Sequence, residues 1–363
     1  MTRLVINLWR CRWAMLRLAL ACFICWTLAS DTAARMARLQ LASLPDFDYL
    51  AEVTALRAQG RYGEAEVVAR AGLDGLPPGS TRDSLDRELA ATIEERDSWL
   101  RKASSVGLGA LSGRGTDLES LIGAVAADFF IVGDIRDLVI EGGKLLVDGD
   151  SDELVLLLSF AGLVTTLAPE IDWAPAVLKA ARRTGNVSTK LASYLTSAIK
   201  AKRGEQITKV CTDVARMSRK ATPGGASRML RLADEPEDLA RMAAFMERTP
   251  SGAFALHVTG PAGIESLRVF AASADSVLVA AARKGSAGTR FLSSPAAKAL
   301  LKPHALVGIS KAFWKGNAEK LITRALDRID PLAWWAMPLA AAWAVLEALL
   351  LWPRLLTRVE RRA

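Results

Sequence analysis

The sequence predicts an all-α protein with a helical-repeat, solenoid-like body, a central apolar helical hairpin and a C-terminal transmembrane helix. Three observations lead to this fold class. Arginines flank an apolar segment at each end of the chain, residues 45–104 alternate helix-forming stretches with short turns, and 51% of the residues are hydrophobic against 24% charged, which is enough for packed cores. We therefore divide the 363 residues into a signal peptide or signal anchor (1–30), a first helical region (31–104), a helical domain with an apolar hairpin and basic helices (105–231), short helical repeats (232–330), a transmembrane helix (331–353) and a basic tail (354–363).

The first 30 residues have the layout of a secretory signal. Four arginines and no acidic residue precede or begin an apolar run over residues 18–28; they are Arg3, Arg10, Arg12 and Arg17. The small residues Thr27 and Ala29 predict cleavage after Ala29. The alternative is a retained anchor, although the apolar run is short for a span of about 20 residues and a longer span must include Arg17.

The next region carries one recognisable pattern. The positions that match it are Tyr49, Leu56, the 60–65 turn with Tyr62, and Pro77. On these positions, residues 47–78 resemble one tetratricopeptide repeat. The resemblance implies two antiparallel helices that offer a groove to a protein partner, with Tyr49, Leu56 and Tyr62 as candidate groove residues. Ala69 and Gly72 depart from the pattern, and a single repeat must pack on the rest of the body.

Two apolar segments of 15 residues, 118–132 and 154–168, predict a helical hairpin after a Gly/Ser-rich break at 105–115. Each segment is short for a membrane span. We expect a hairpin buried in the centre of a helical domain. The alternative is a hairpin that enters a bilayer, as in pore-forming helical toxins.

Charge is unevenly distributed along the chain. The formal net charge is +8, but residues 31–178 hold 13 Lys/Arg against 25 Asp/Glu, whereas residues 179–231 hold 13 Lys/Arg against two acidic residues. We expect the two blocks to attract one another within the fold, with binding of anionic lipid or a polyanion by the basic block as the alternative. Tyr194 is the only aromatic residue of the basic block, so base stacking is poorly supported and nucleic acid is not an expected partner.

A 25-residue repeat follows from residue 232. Five positions recur in type or size: Leu239, Phe245, Ala253, Leu256 and Gly260 correspond to Ile264, Phe270, Leu278, Ala281 and Gly285. Each unit is predicted to form two short helices closed by a glycine, which is typical of an α-solenoid.

The C-terminal apolar segment spans residues 332–352 and contains one ionisable group, which is typical of a transmembrane helix. Tryptophans at both rims and arginines after the second rim support this prediction. The predicted membrane anchor consists of Trp334, Trp335, Glu347, Trp352, Arg354 and Arg358. Because a carboxylate inside a span is costly, we expect Glu347 to reach the interface or to be protonated, with contact to a partner helix or proton handling as the alternative.

The arginines at both ends also predict the topology. Under the positive-inside rule both flanks lie in the cytoplasm, which places the tail there and the body in the periplasm, on the other side of an inner (plasma) membrane. The lipid bilayer is therefore one expected partner.

Residues suited to catalysis are few. His257, His304 and Cys211 are far apart in sequence, the acid pairs Asp46/Asp48 and Asp134/Asp137 have no adjacent base, and no metal-ligand spacing or cofactor motif is present. We therefore expect no cofactor and do not expect an enzyme. The sequence favours a membrane-anchored scaffold or adaptor of the bacterial envelope that binds a protein partner through its periplasmic body. A membrane-perturbing protein that uses the 118–168 hairpin is the alternative.

Overall fold

The computed structural model describes residues 12–110, 174–270, 274–301 and 333–360. Within these ranges every regular element is a helix, and no β-strand occurs. The all-α prediction is therefore confirmed for this part of the chain. The predicted hairpin at 118–168, the pair Asp134/Asp137, and His304 lie outside the described residues.

The helices are numbered in chain order, and a short 3₁₀ turn, Leu230–Leu232, follows α7. They are α1 (Arg12–Ala42), α2 (Tyr49–Ala58), α3 (Tyr62–Gly75), α4 (Ser80–Ala110), α5 (Ala174–Arg183), α6 (Thr189–Lys200), α7 (Gly204–Met229), α8 (Pro236–Arg248), α9 (Gly252–Phe270), α10 (Asp275–Ala282), α11 (Gly285–Leu292), α12 (Pro295–Leu301) and α13 (Ala333–Glu360).

The chain divides into two units. The terminal unit comprises the described residues of Met1–Ser43 and Ser294–Ala363, and the body comprises those of Leu44–Ser293. The two apolar ends, which are hundreds of residues apart in sequence, thus belong to one unit.

In the terminal unit, α1 packs along α13, and α12 also packs on α1. Arg17 pairs with Glu347, and the hydroxyl of Thr32 lies 3.9 Å from the sulfur of Met337. Because the later residue of α1 meets the earlier residue of α13, the two helices are antiparallel. Helix α1 also continues beyond the predicted signal boundary at residue 30 and ends at Ala42.

The body begins with the helical hairpin α2–α3, against which α4 packs. The side chain of Asp48 caps α2 by accepting a hydrogen bond from the backbone N–H of Ala51 at 3.0 Å. Gly60, at φ +72°, closes the helix, and the N–H of Arg61 donates to the carbonyl of Leu56. This left-handed closure is the Schellman motif, which favours glycine. Local sequence therefore accounts for the sharp turn at residues 60–65.

Gly72 shows why the hairpin departs from the usual repeat pattern. A methyl group at this position would lie 2.5 Å from Leu85 and 2.8 Å from the Tyr49 ring. The absence of a side chain thus allows α2, α3 and α4 to approach closely. Helix α4 then extends to Ala110, inside the stretch at 105–115 where the sequence predicts a break.

Helix α7 crosses the body and packs against α5, α8, α9 and α3. Its α-helical path is interrupted at Thr222, at φ +64° and ψ +158°, directly before Pro223. Helix α9 is interrupted in the same way at Gly260, directly before Pro261. Proline removes a backbone donor and clashes with the preceding turn, so each kink follows from the sequence. The largest fully buried side chains of the body are Phe245, Phe254, Leu56, Leu85, Leu178, Leu191, Leu195, Met217, Leu230, Leu239 and Met242.

The glycines of the predicted 25-residue repeat both have a positive φ angle. Gly260 has φ +51° and Gly285 has φ +57°, and a helical segment follows each of them. Leu239 and Ile264, another pair of the predicted repeat, are both buried. The solenoid-like arrangement itself stays a prediction.

Candidate functional site

The paired helices α1 and α13 expose large apolar side chains. On α1 Trp13 is 66% exposed, and on α13 Leu339 is 69% exposed. Further exposed apolar side chains of the pair are Leu16, Leu20, Trp26, Leu39, Val345, Leu346, Leu349 and Leu350. A surface of this kind on a protein in water marks an interaction site or a membrane contact.

Length and apolarity distinguish the two helices. In the described ranges, the stretch Trp13–Ala42 of α1 meets the length and apolarity that a membrane crossing requires. The apolar part of α13, Ala336–Leu351, is shorter. Trp334, Trp335, Trp352, Arg354 and Arg358 of the predicted anchor all lie on α13, on either side of that apolar part.

A charged pair joins the two apolar helices. The Nε of Arg17 donates to Oε1 of Glu347 at 3.0 Å, and the indole N–H of Trp343 lies 3.4 Å from the same oxygen. Glu347 is 7% exposed, and its Oε2 has no hydrogen-bond partner among the described residues. The Glu347 side chain therefore faces a second helix of the same chain. Sequence spacing could not reveal this contact, because 330 positions separate the two residues.

The candidate groove residues occupy different environments. Tyr49 and Leu56 are buried, whereas Tyr62 is half-buried. The Tyr49 ring centroid lies 5.0 Å from that of Phe47 and 5.3 Å from that of Phe254, and burial raises the pKa of the Tyr49 hydroxyl. Tyr49 thus fixes the α2–α3 hairpin against α9. A partner that used this hairpin would have to contact its exposed faces.

A buried carboxylate joins the hairpin to the centre of the body. Glu64 on α3 is 5% exposed and forms ion pairs with Arg61 and with Arg228 of α7, the latter at 3.0 Å. Its side chain also lies against the kink in α7, since a methyl group on Gly225 would be 3.4 Å from Glu64 Cγ. Two guanidinium groups thus compensate the charge of this carboxylate, which would otherwise be costly to bury.

The ion pairs show how the two charge blocks are used. Arg228 of the basic block pairs with Glu64 of the acidic block, as the expected attraction requires. Arg216 pairs instead with Asp213 and Glu247, and Lys190 pairs with Asp234. These acidic partners lie outside residues 31–178, so part of the basic block is neutralised locally.

Buried Asp238 is a structural residue that the sequence did not single out. It is 1% exposed and accepts hydrogen bonds from Arg241 and Arg268, the Arg268 Nη2 contact being 2.6 Å. Burial by itself would raise the pKa of Asp238, but the hydrogen bonds from Arg268 and from the backbone outweigh it and lower the pKa. One feature of the sequence could have identified Asp238. It is the third residue after Glu235 at the start of α8, and the two residues form a capping box.

The groups considered for catalysis do not form a common site in the described ranges. His257 Nε2 lies 3.0 Å from Glu52 Oε1, and this hydrogen bond lowers the pKa of Glu52. Cys211 is buried, and burial raises its pKa to about 12, which removes the thiolate needed for nucleophilic chemistry. Within these same ranges no group of three or more His, Cys, Asp or Glu side chains could hold a metal ion.

Comparison with known proteins gives no match. No family model fits the chain, and neither a curated protein nor a solved structure is significantly similar to it. Function must therefore be argued from the residues and their geometry.

Proposed function

We propose that α1 and α13 anchor this chain in the inner membrane and that the body acts in the periplasm as a scaffold or adaptor for another envelope protein. One observation carries the proposal: the α1–α13 pair directs large apolar side chains outward, with Trp13 and Leu339 each about two-thirds exposed. Such a surface is stable in hydrocarbon and unfavourable in water.

The antiparallel pairing supports the topology. The basic end of α1, with Arg12, lies at the same end of the pair as the basic end of α13, with Arg354 and Arg358. The positive-inside rule assigns both of these ends to the cytoplasm. The chain between Ala42 and Ala333 then belongs to the periplasmic side.

The length of α13 is compatible with a crossing. Its apolar part, Ala336–Leu351, has a length of about 24 Å at 1.5 Å per residue, against a hydrocarbon core of about 30 Å. Trp334, Trp335 and Trp352 extend it at both rims, where indole rings are favoured. Residual mismatch of this size is accommodated by local thinning or by association with a longer helix.

The α2–α3 hairpin supports the adaptor role. It resembles a tetratricopeptide repeat, a unit that presents helix faces to peptides and proteins. Thr54 is exposed on α2, Gln59 is exposed directly after its end, and Arg70 is exposed on α3. A protein partner that binds this hairpin would contact those side chains rather than buried Tyr49.

The test combines topology with partner capture, using the full chain in its own membrane. A reporter that is active only in the periplasm should work when fused after Lys220, and one that is active only in the cytoplasm should work after Ala363. Cross-linking in intact cells followed by purification should recover an envelope protein with the unmodified chain. Thr54→Arg should lose this protein, while Lys209→Ala, at an exposed position of α7, should retain it. A cytoplasmic signal after Lys220, or equal recovery with both variants, would contradict the proposal.

A further inference from the structure

We propose that the Arg17–Glu347 pair joins α1 to α13 inside the membrane, so that α1 stays in the mature protein as an uncleaved signal anchor. The inference rests on the membrane anchorage proposed above. It goes further by assigning a function to two charged residues and a fate to the first 42 residues of the chain.

The pair lies at matching depth on the two helices. Arg17 is five positions from Arg12, and Glu347 is five positions from Trp352, so each is about 7–8 Å inside the cytoplasmic rim. Charged residues within membrane spans are costly and are usually paired with one another. At the distance of 3.0 Å each of these side chains supplies the counter-charge that the other needs.

Packing around the pair has helical periodicity. On α1, Ala14 and Ala21 are buried three positions before and four positions after Arg17, which places all three on one face. On α13, Ala340 and Leu351 are buried seven positions before and four positions after Glu347. Glu347 therefore lies within the face that α13 presents to α1, and Arg17, whose side chain is 52% exposed, extends its guanidinium group to it. Trp343 adds a hydrogen-bond donor to Glu347.

The backbone at the predicted cleavage site is helical. Thr27 and Ala29 lie inside α1, the hydroxyl of Ser30 donates to the carbonyl of Thr27 at 2.8 Å, and α1 continues to Ala42. Proteases cleave backbone that is locally open. Packing along α13 opposes that opening.

Removal of residues 1–29 would also leave Glu347 without its guanidinium partner. An isolated carboxylate at this depth is unfavourable, and its Oε2 already has no partner among the described residues. The helical cleavage site and the ion pair thus favour the same outcome, which is retention of α1.

The first experiment determines where the mature chain begins. The full-length protein is purified from its own membrane through a tag after Ala363, and its intact mass is measured. The expected mass includes residues before Ala29. A chain that begins at Ser30 would overturn the inference.

The second experiment tests the ion pair by charge exchange. In a chain with Cys11, Cys22 and Cys25 replaced by Ala, the substitutions Thr32→Cys and Met337→Cys report helix pairing, because these side chains touch in the structure. Disulfide-linked peptide is quantified after oxidation of membranes and proteolysis. Ala33→Cys with Met337→Cys is the matched control, since Ala33 is exposed on another face of α1.

Arg17→Glu alone and Glu347→Arg alone should each lower the linked fraction about tenfold, because each places like charges together in lipid. The double exchange Arg17→Glu/Glu347→Arg should restore it. Arg38→Glu, an equal change of charge at an exposed position of α1, should have no effect. Failure of the double exchange to exceed the single variants would overturn the inference.

The two proposals fail in distinguishable ways. Release of the unmodified chain from membranes by alkaline carbonate would contradict membrane anchorage itself. A chain that remains in the membrane but begins at Ser30 contradicts retention of α1 and leaves anchorage by α13 alone. A chain that pairs equally well in the single-charge variants contradicts only the role of the ion pair.

Discussion

The terminal unit and the body distribute polar and apolar side chains in opposite ways. In the terminal unit, Leu349 is 65% exposed while Glu347 is buried between helices. In the body, Phe254 is 1% exposed, and most charged side chains lie at the surface. With the terminal unit in the membrane as proposed, both arrangements obey one rule, which is that the outer surface matches its solvent and a charge removed from water has a charged partner. The comparison shows that the exposed fraction of a side chain does not by itself tell whether its position is favourable. The solvent outside the surface, water or lipid, must also be known.

The largest expected effect comes from the aromatic core of the body. Phe254→Ala removes a ring that contacts Phe47 and Tyr49, so we expect a loss of about 3–5 kcal/mol in the free energy of unfolding. Thermal unfolding of the full chain in detergent measures it. Val269→Ala, at an apolar position that is 61% exposed, is the control and should change stability by less than about 0.5 kcal/mol.

A second prediction compares the two solvents directly. Leu349 and Val269 have similar exposure, 65% and 61%, but lie in different units. With α13 in the membrane as proposed, Leu349→Asp should reduce membrane insertion because a carboxylate would face lipid. The effect should be smaller than the about 2.5–3.5 kcal/mol of a charge at the helix centre, because position 349 lies three residues from Trp352 at the rim. Val269→Asp should leave both insertion and unfolding unchanged, because this side chain faces water. Carbonate extraction and thermal unfolding of both variants check this, and equal behaviour of the two would refute the contrast between the units.

A third, smaller effect is expected at the buried carboxylate of the body. Glu64→Ala removes the buried carboxylate that forms ion pairs with Arg61 and Arg228. Because these arginines are about one-fifth exposed, we expect a loss of about 2–3 kcal/mol, less than for a fully buried pair. Chemical denaturation of the full chain in detergent measures the loss. Glu205→Ala breaks a pair between exposed side chains and should give no measurable change.

The smallest expected effect is the loss of stability at acidic pH through Asp238. The pKa of Asp238 is lower in the folded body than in the unfolded chain, so its contribution to stability is fully present above the unfolded pKa of about 3.9 and disappears as the pH falls through the folded value. The contribution of Asp238 to the melting temperature should therefore be constant from pH 7 to pH 5 and should decrease once the pH is below about 4. The Asp238→Asn variant should be less stable than the unmodified chain at pH 7, and its stability should decrease less on acidification. If the melting temperature of Asp238→Asn decreased with acid as steeply as that of the unmodified chain, other carboxylates would be responsible for the acid sensitivity.

The local features of the fold could be predicted from the sequence. Gly60 predicted the turn between α2 and α3, and the arginines at both ends marked the limits of the apolar segments. The helices themselves follow from local hydrogen bonding and from the 3.6-residue period. Prediction was less successful for the ends of α4 and α1. Helix α4 continues to Ala110 into the predicted Gly/Ser-rich break, and α1 continues to Ala42 beyond the predicted signal boundary.

The environments of individual side chains could not be predicted. Tyr49 occupies the same position in the repeat pattern whether it faces a groove or Phe254, and Arg228 offers the same charge to any acid within reach. Asp238 was missed because the arginine that holds it, Arg268, is 30 positions away.

The sequence by itself determined that the described part of the chain is helical, that a turn separates α2 from α3, and which segments are apolar, because these properties depend on neighbours a few positions apart. Only the tertiary structure decided that Arg17 faces Glu347, that Glu64 lies between two arginines, and that α1 runs antiparallel to α13. A helix face has the same periodicity whether it contacts water, lipid or another helix. The tertiary fold decides which of these a helix face contacts. It therefore also decides whether each charged side chain is stabilised by a partner.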